Sequence, residues 1–421
     1  MIISIDAKKS AFFHDVFSDL LASVVKEGSS RSIFRSFAGF DGYGFVGLGH
    51  EGSALLILSC LHGLPKNVEG EVLETLVLHA CLQCKINSQT ETVNFLSVFA
   101  ALVMEYAAEP TKSYRCLFFL PVENLPDWLI NSSILGHRLK IASSTSLRVN
   151  KTNLGRVLDT TEITEIDLAN MQAVEVGIAA RTPVEAVGIA DRVCGVLRGA
   201  YYAAGSSNWS LAGKTRSSNR FGPSPGYLVR EGRRPVEWAY VASATPQITR
   251  LPDKCPARTC LLLDRLARPV RQGSSRQVLA DALVLFSSAA DEKRAHNEFL
   301  GLWQTVECLS LVAGGDTTKV AANIGNLWRN GNETIRYQLL ALAPIRNLLV
   351  HTGTYESDRQ SANFLLTRIV REALIQFAQL SDKLSAKGQF LKLMSMMTLP
   401  PKLLTGKDLA TKTVKHVRGL S

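Results

Sequence analysis

The sequence predicts an α+β protein in which a mixed α/β N-terminal region is followed by an all-α helical bundle. Residues 1–150 alternate short apolar runs with turn residues, and helical spacing appears between them. From Gln277 onward, apolar residues recur at helical spacing almost without interruption. The 421-residue chain is also longer than one ordinary domain, which favours two or three domains.

The first 150 residues are predicted to form short strands around a helix. Apolar runs bounded by turn residues indicate strands at 32–37, 45–48, 114–120 and 138–142. Residues 91–108 have helical spacing, which is carried by Phe95, Phe99, Leu102, Val103 and Tyr106. This periodicity predicts an amphipathic helix that packs its aromatic side into a core.

Residues 174–205 are predicted to complete the N-terminal region. An apolar run at 174–179 indicates a strand, and Pro183 then suits the first turn of a helix that ends near Tyr202. We interpret residues 1–205 as a sensor or substrate-recognition domain because of their size and their position before the helical part.

Residues 206–276 are predicted to be a basic, loop-rich connector. The stretch 205–226 is rich in Gly, Ser, Asn and Pro, which is typical of a long loop. Five cations of the connector are candidate RNA-binding residues: Lys214, Arg216, Arg220, Arg233 and Arg234. They alternate with Trp209, Phe221 and Tyr227, and such a mixture suits unpaired bases that stack on rings. A surface loop anchored by its aromatic residues explains the same pattern.

The positive charge of the chain is concentrated in two segments. Residues 192–276 hold 15 Lys and Arg against 4 Asp and Glu, and residues 383–421 hold 8 against 1. The chain as a whole carries +10, so the remainder is net acidic. Two basic segments on an acidic body favour a polyanionic partner, whereas a solvated loop and tail are the simpler alternative.

A helical domain is predicted at 277–384 and a basic tail at 385–421. Apolar stripes indicate helices at 278–290, 297–312, 319–328, 334–351 and 359–384. The tail contains Pro400 and Pro401 and, from Lys402 onward, five spaced cations, so we expect it to be solvated or to bind a partner.

Hydropathy and cysteine usage predict a cytoplasmic protein with reduced thiols. The N-terminus lacks a basic segment followed by an apolar core, and the eight cysteines are thinly spread. The most apolar stretch, residues 54–61, is far shorter than the roughly 20 residues that cross a bilayer. No membrane association is therefore expected.

Two short motifs have structural explanations. Cys81 and Cys84 have the spacing of half a zinc site and lie near His79, but their apolar neighbours favour a packed helix with buried thiols. Residues 42–47 match G-x-G-x-x-G but interrupt a strand, so a glycine-bearing hairpin is favoured over a nucleotide site. We expect neither a metal nor a cofactor.

Residues 344–353 gather chemically useful side chains on one predicted helix. At 100° per residue, one apolar arc that should face the core is formed by Ile345, Leu348 and Leu349. Asn347 and His351 lie one turn apart on the opposite face, and Arg346 lies on the flank. Pro344 is expected to kink or restart the helix.

Such a grouping suits cleavage of RNA. A histidine can move the proton of a ribose 2′-hydroxyl, and an arginine can hold a phosphate through two hydrogen bonds. Because the 2′-hydroxyl is itself the nucleophile, no metal is required and DNA should be inert.

The spacing of Arg346, Asn347 and His351 resembles the Arg-x4–6-His signature of HEPN domains, in which a polar residue follows the arginine. The upstream stretch 299–309 is similar to the "Leu-Trp…Glu-x-Leu" helix of the Apea-like HEPN group, and the helix before it also matches. The resemblance covers roughly residues 277–383, and it implies that the all-α part is an HEPN helical bundle.

The resemblance implies a homodimer that brings two Arg–His pairs into one cleft. It also implies a metal-independent endoribonuclease in a toxin or anti-phage defence setting, with an antitoxin or regulatory partner. Arg346 would contact the phosphate, His351 would perform acid–base work and Asn347 would orient the scissile region. Glu307 matches the acidic residue of the upstream helix and would pair with Arg346. The alternative is a non-catalytic HEPN module for dimerisation or ligand sensing.

Overall fold

The structure is a computed structural model. The residues that it describes are 3–26, 34–36, 43–46, 50–65, 68, 70–142, 171–204, 222, 224, 226–232, 234–240, 249–292, 294–312, 316–328, 332–352, 360–381, 387–397, 403–404 and 409–418. They form two compact units, residues 1–112 with 179–188, and residues 113–178 with 189–421. Helices and antiparallel sheets occur together, which confirms the α+β class. None of the described helices is both long and apolar enough to cross a membrane.

The first unit combines four helices with two small sheets. Its helices are α1 (Ser10–Ala22), α2 (His50–Ser59), α3 (Gly70–Ile86) and α4 (Thr92–Ala108), and a 3-10 turn (Ala7–Lys9) precedes α1. Strands β1 (Ser4–Ile5) and β5 (Leu61–His62) pair with each other, while β2 (Val24–Lys26), β4 (Tyr43–Val46) and β3 (Phe34–Ser36) form a second sheet in that order. The predicted strands at 32–37 and 45–48 are thus present, with shifted ends.

Stacked phenylalanines form the centre of this unit. Phe13 and Phe17 of α1 pack against Phe95 of α4, and Phe95 in turn stacks on Phe99, with ring centroids 4.9–5.9 Å apart. All four rings are fully buried, or nearly so. The helical spacing in residues 91–108 therefore predicted both the helix and its buried side.

The second unit contains a six-stranded antiparallel sheet. Its strands are β6 (Lys112–Leu120), β7 (Ser133–Ile134), β8 (His137–Ile141), β9 (Gln172–Ala180), β10 (Gly226–Glu231) and β11 (Arg234–Tyr240), and their order is β11-β10-β6-β9-β8-β7. Strands β10 and β11 form a hairpin inside the stretch predicted as a loop-rich connector. That prediction missed the hairpin because local composition hides a strand that is stabilised by pairing with β6, about 110 residues earlier.

Ten helices accompany this sheet. They are α5 (Asp127–Ile130), α6 (Pro183–Ala204), α7 (Ala257–Leu266), α8 (Ser275–Asp291), α9 (Ala295–Ser310), α10 (Thr317–Gly325), α11 (Glu333–Thr352), α12 (Gln360–Ser381), α13 (Lys387–Met396) and α14 (Leu409–Arg418), counted over the described residues. The five helices predicted between residues 278 and 384 correspond to α8–α12, with ends shifted by a few residues.

Helix α6 joins the sheet to these helices. On one side, the Tyr227 hydroxyl of β10 donates to Asp191 Oδ1 of α6 over 2.6 Å. On the other side, Gly199 lies so close to α8 that an added Cβ would stand 2.8 Å from the Leu283 carbonyl carbon. The predicted boundary at residue 205 therefore differs from the observed division, because a long-range packing contact fastens α6 to α8.

The segment predicted as a solvated or partner-binding tail is partly helical and packed. Helix α13 buries Phe390, Leu393 and Met394, and the Phe390 ring stacks on Phe377 of α12 at 4.3 Å. In α14, Val414 is buried as well. The cations dominated the sequence pattern, and the apolar positions between them determine the packing.

Cys255 and Cys260 lie close enough to form a disulfide, with their Cα atoms 6.0 Å apart, whereas the sequence led us to expect reduced thiols. The other six cysteines are free, and all but Cys308 are fully buried.

Candidate functional site

The candidate site is formed by facing positions of α9 and α11. Arg346 Nη2 donates to Glu307 Oε1 over 3.2 Å, and Trp303 Nε1 donates to the same oxygen over 2.9 Å. Trp303 and Glu307 are one turn apart on α9, so the indole can reach the carboxylate of its own helix. One carboxylate oxygen thus receives hydrogen bonds from both helices.

The ion pair is largely shielded from water. The Arg346 and Glu307 side chains are 20% and 24% exposed, and Trp303 is buried beside them. Shielding strengthens the attraction between the charges but also costs desolvation, so the pair depends on its additional hydrogen bonds. Trp303 supplies such a bond. Trp303 belongs to the "Leu-Trp…Glu-x-Leu" stretch, but no role was predicted for it from the sequence. The one signal for this contact was its spacing of one helical turn from Glu307.

Asn347 extends the arrangement toward solvent. Arg346 Nη1 donates to Asn347 Oδ1 over 3.3 Å, and the Asn347 side chain is exposed. The guanidinium is therefore held between a shielded carboxylate and an exposed amide. A phosphate that approached from the Asn347 side would meet a cation whose plane is already oriented.

The faces of α11 differ from the prediction in two respects. Leu349 is buried as expected, Ile345 is half-buried, and Leu348 is 42% exposed, so its predicted place in the core is wrong. Arg346 lies on the same side of the helix as the buried Leu342 rather than on the flank. The core-facing arc is rotated because the Glu307 carboxylate draws Arg346 inward.

The exposed side of α11 is apolar. Four residues at helical spacing form a stripe, which we call the α11 stripe: Tyr337, Ala341, Pro344 and Leu348. The Tyr337 side chain is 65% exposed. We expected Pro344 either to kink the helix or to restart it. Pro344 lies inside the continuous helix Glu333–Thr352, so the helix does not restart there. Its missing N–H faces this exposed side of the helix.

His351 occupies the last turn of α11, and its side chain lies outside the described residues. The backbone of α11 places His351 one turn beyond Asn347, on the same side of the helix. The structure therefore brings Arg346, Asn347 and Glu307 together and supports the helical position of His351.

The neighbouring thiol takes no part in this chemistry. Cys308 follows Glu307 on α9, and burial raises the pKa of its thiol to about 12. The sulfur therefore stays protonated and is a poor nucleophile at neutral pH.

Most of the candidate RNA-binding residues fall outside the described part of the chain: Lys214, Arg216, Arg220 and Arg233. Arg234 begins β11, is exposed, and stands opposite Glu231 in the hairpin. Tyr227, which was grouped with these cations as a stacking residue, is 1% exposed and donates to Asp191, so it does not face a bound base.

The two weaker motifs are structural where they are described. Cys81 and Cys84 are buried on α3, and desolvation raises the pKa of both thiols. Over the described residues, no three His, Cys, Asp or Glu side chains form a group that could hold a metal ion. Of the glycine motif, residues 43–46 form β4, and Gly42 and Gly47 lie outside the described residues.

No protein-family model matches the chain, and neither a curated protein nor a solved structure matches it.

Proposed function

We propose that the chain is a cytoplasmic, metal-independent endoribonuclease of the HEPN type that acts as a homodimer. The observation that supports this proposal best is the orientation of Arg346 by Glu307, between a shielded carboxylate and the exposed Asn347. His351 follows one turn later on the same helix. A guanidinium held in one orientation and a histidine one turn beyond Asn347 suit cleavage of a phosphodiester.

In the proposed reaction, the substrate supplies its own nucleophile. The 2′-hydroxyl oxygen forms a bond to the adjacent phosphorus, and the bond from phosphorus to the 5′-oxygen breaks. His351 accepts the 2′-hydroxyl proton, and its protonated imidazole then gives that proton to the leaving 5′-oxygen. Arg346 stabilises the charge on the equatorial oxygens, and Asn347 orients the phosphate. The products are a 2′,3′-cyclic phosphate and a 5′-hydroxyl.

The α11 stripe supports pairing with a second copy. Two of its four members are large, and an apolar face of this kind beside a polar site is favourably covered by a self-complementary surface. Pairing through α11 would place two Arg346–His351 sets near one another. The proposal includes RNA as substrate, a toxin or anti-phage defence setting, and an antitoxin or other regulatory partner.

A non-catalytic helical module is the second candidate. One observation favours it: Arg346 is only 20% exposed and is already paired with a carboxylate, as in a structural ion pair. In that case the α11 stripe would still mediate dimerisation, and the polar site would only fix the packing of α9 against α11.

The test is cleavage of single-stranded and structured RNA in EDTA by the wild type, Arg346→Ala and His351→Ala. Arg336→Ala is the matched control, because Arg336 lies on the same helix and forms an exposed ion pair with Glu333. We expect cyclic-phosphate ends from the wild type and from Arg336→Ala, and a loss of at least about 100-fold in the other two variants. Equal cleavage by all four proteins would disprove the assigned site. Dimerisation without cleavage by any of them would favour the second candidate.

A further inference from the structure

One face of the six-stranded sheet is divided into an apolar half and a charged half. Every second side chain along a strand points to the same face of the sheet, and residues paired on neighbouring strands share that face. On this face, the apolar half is a buried cluster: Leu117, Phe119, Ala142, Met171, Ala173 and Leu228. Continuing along β6, β9 and β10 by two residues leads to Arg115, Glu175 and Arg230. The change from apolar to charged therefore occurs within the same strands.

Glu175 stands at the centre of the charged half. Its Oε2 accepts a hydrogen bond from Arg230 Nη2 over 2.6 Å, and its Oε1 lies 3.9 Å from Arg115 Nη1. The Arg230 and Glu175 side chains are 8% and 17% exposed, whereas Arg115 is 62% exposed. Arg230 therefore satisfies the carboxylate within the sheet, and Arg115 points its charge toward solvent.

Two more cations continue this surface along β8. Lys140 stands directly opposite Glu175 in the β8–β9 register, and it is exposed. Arg138, two residues earlier, is exposed as well and donates to Asn131 Oδ1 over 3.2 Å. We call Arg115, Arg138, Lys140, Gly177 and Arg230 the basic sheet face. It has four cations around one carboxylate.

Gly177 leaves open space on the basic sheet face, next to Glu175 on the same strand. It follows Glu175 by two residues on β9, and the register places it opposite Arg138. A Cβ added to Gly177 would have no heavy atom within 4 Å, and the glycine is exposed. The surface is thus open at Gly177, with Arg138 and Lys140 on the neighbouring strand β8.

This combination fits an extended polyanion. The three exposed cations, Arg115 on β6 and Arg138 and Lys140 on β8, flank β9 and outnumber its carboxylate Glu175, so binding of successive phosphates offsets an excess of positive charge. The five residues include no aromatic ring on which bases would stack, so the contacts would be made to the backbone and would be insensitive to sequence.

We propose that the basic sheet face binds the sugar–phosphate backbone of RNA and thereby holds the substrate. This inference rests on the proposed endoribonuclease function for its choice of RNA. The basic sheet face is separate from Arg346, Asn347 and His351, and it is also separate from the loop cations that the sequence suggested.

A charge series at Gly177 tests the proposal without removing any existing contact. Gly177→Glu places a carboxylate, Gly177→Lys an ammonium and Gly177→Gln a neutral amide of similar size in the open space. Binding of a fluorescently labelled single-stranded RNA is measured in the His351→Ala background, which excludes cleavage. Thermal unfolding of each variant confirms that the fold is intact.

We expect Gly177→Glu to weaken RNA binding about tenfold and Gly177→Lys to strengthen it, with Gly177→Gln unchanged. The slope of log affinity against log salt should also become shallower by about 0.7 for each phosphate contact that Gly177→Glu removes. Equal affinities across the series would overturn the proposal. A surface that binds a protein partner instead of RNA would give that result.

The two proposals fail in different ways. If the Gly177 series changes RNA affinity but no protein cleaves RNA, the basic sheet face is supported and the nuclease is not. If the wild type cleaves RNA while the series changes neither affinity nor KM, the basic sheet face is overturned and the nuclease is retained.

Discussion

At the residue scale, Glu307 determines the direction of Arg346 because one of its oxygens receives both Nη2 of Arg346 and the indole N–H of Trp303. A flexible arginine loses conformational entropy when it is ordered for a phosphate. Here the entropy is already lost in the folded state, since the carboxylate and Asn347 fix the guanidinium from two sides. Glu307 and Trp303 are thus positioning residues for Arg346.

Trp303→Phe tests this positioning. The change removes the indole N–H and keeps an aromatic ring against Phe299, which stacks on Trp303 at 6.3 Å. We expect the free energy of unfolding to fall by about 2 kcal/mol, because a hydrogen bond to a charged acceptor and some ring volume are lost. We also expect kcat for RNA cleavage to fall, even when it is measured at temperatures well below those that unfold the variant.

Phe299→Leu is the matched control for that measurement. Phe299 is buried on the same helix, one turn before Trp303, and its ring makes no bond to Glu307. It should lower stability by about 1 kcal/mol and leave kcat unchanged. A similar loss of kcat in both variants would mean that Trp303 acts through packing alone.

At the element scale, α11 presents three surfaces with different tasks. Leu339, Leu342 and Leu349 face the core, Arg346 reaches α9, and the α11 stripe faces solvent. The stripe is unusual because exposed helix faces are normally polar. Pro344 contributes to it, since a proline at an exposed position leaves the missing hydrogen bond on the solvent side.

Charge placed on the α11 stripe should separate the two copies. We expect the double variant Tyr337→Asp, Leu348→Asp to be monomeric in sedimentation and to lose cleavage, because burial of a carboxylate at an apolar interface is costly. Met104→Asp changes an equally exposed apolar residue on α4 and should leave both properties unaltered. A wild type that is already monomeric at micromolar concentration would contradict the dimer.

At the scale of the whole molecule, the sequence predicted elements better than their assembly. Helices α4, α6 and α8–α12 follow from apolar spacing, which is a local property. The β10–β11 hairpin and the attachment of α6 to α8 depend on pairs that are far apart in sequence, such as Arg198 with Asp291. For the site, the spacing predicted the helix and its residues, whereas the inward direction of Arg346 depended on a carboxylate 39 residues earlier.

The tight contact between α6 and α8 predicts that the sheet and the helices of the second unit unfold together. Gly199→Ala would press a methyl group into the Leu283 backbone and should cost about 2–3 kcal/mol, because neither backbone can yield without moving a buried helix. Gly388→Ala, in a helix with open space around the glycine, should instead be neutral or stabilising by about 0.5 kcal/mol.

Hydrogen exchange distinguishes one cooperative unit from two domains. If residues 113–178 and 189–421 form one unit, Gly199→Ala should lower the protection of the slowest amides in β6 and in α9 by the same factor, roughly 30- to 150-fold for that loss of stability. A boundary near residue 205 predicts a different result, with lower protection in the sheet and α6 and unchanged protection in α9. Such a split would restore the domain division that the sequence suggested, since the sheet would then open while the α9–α11 site stayed folded.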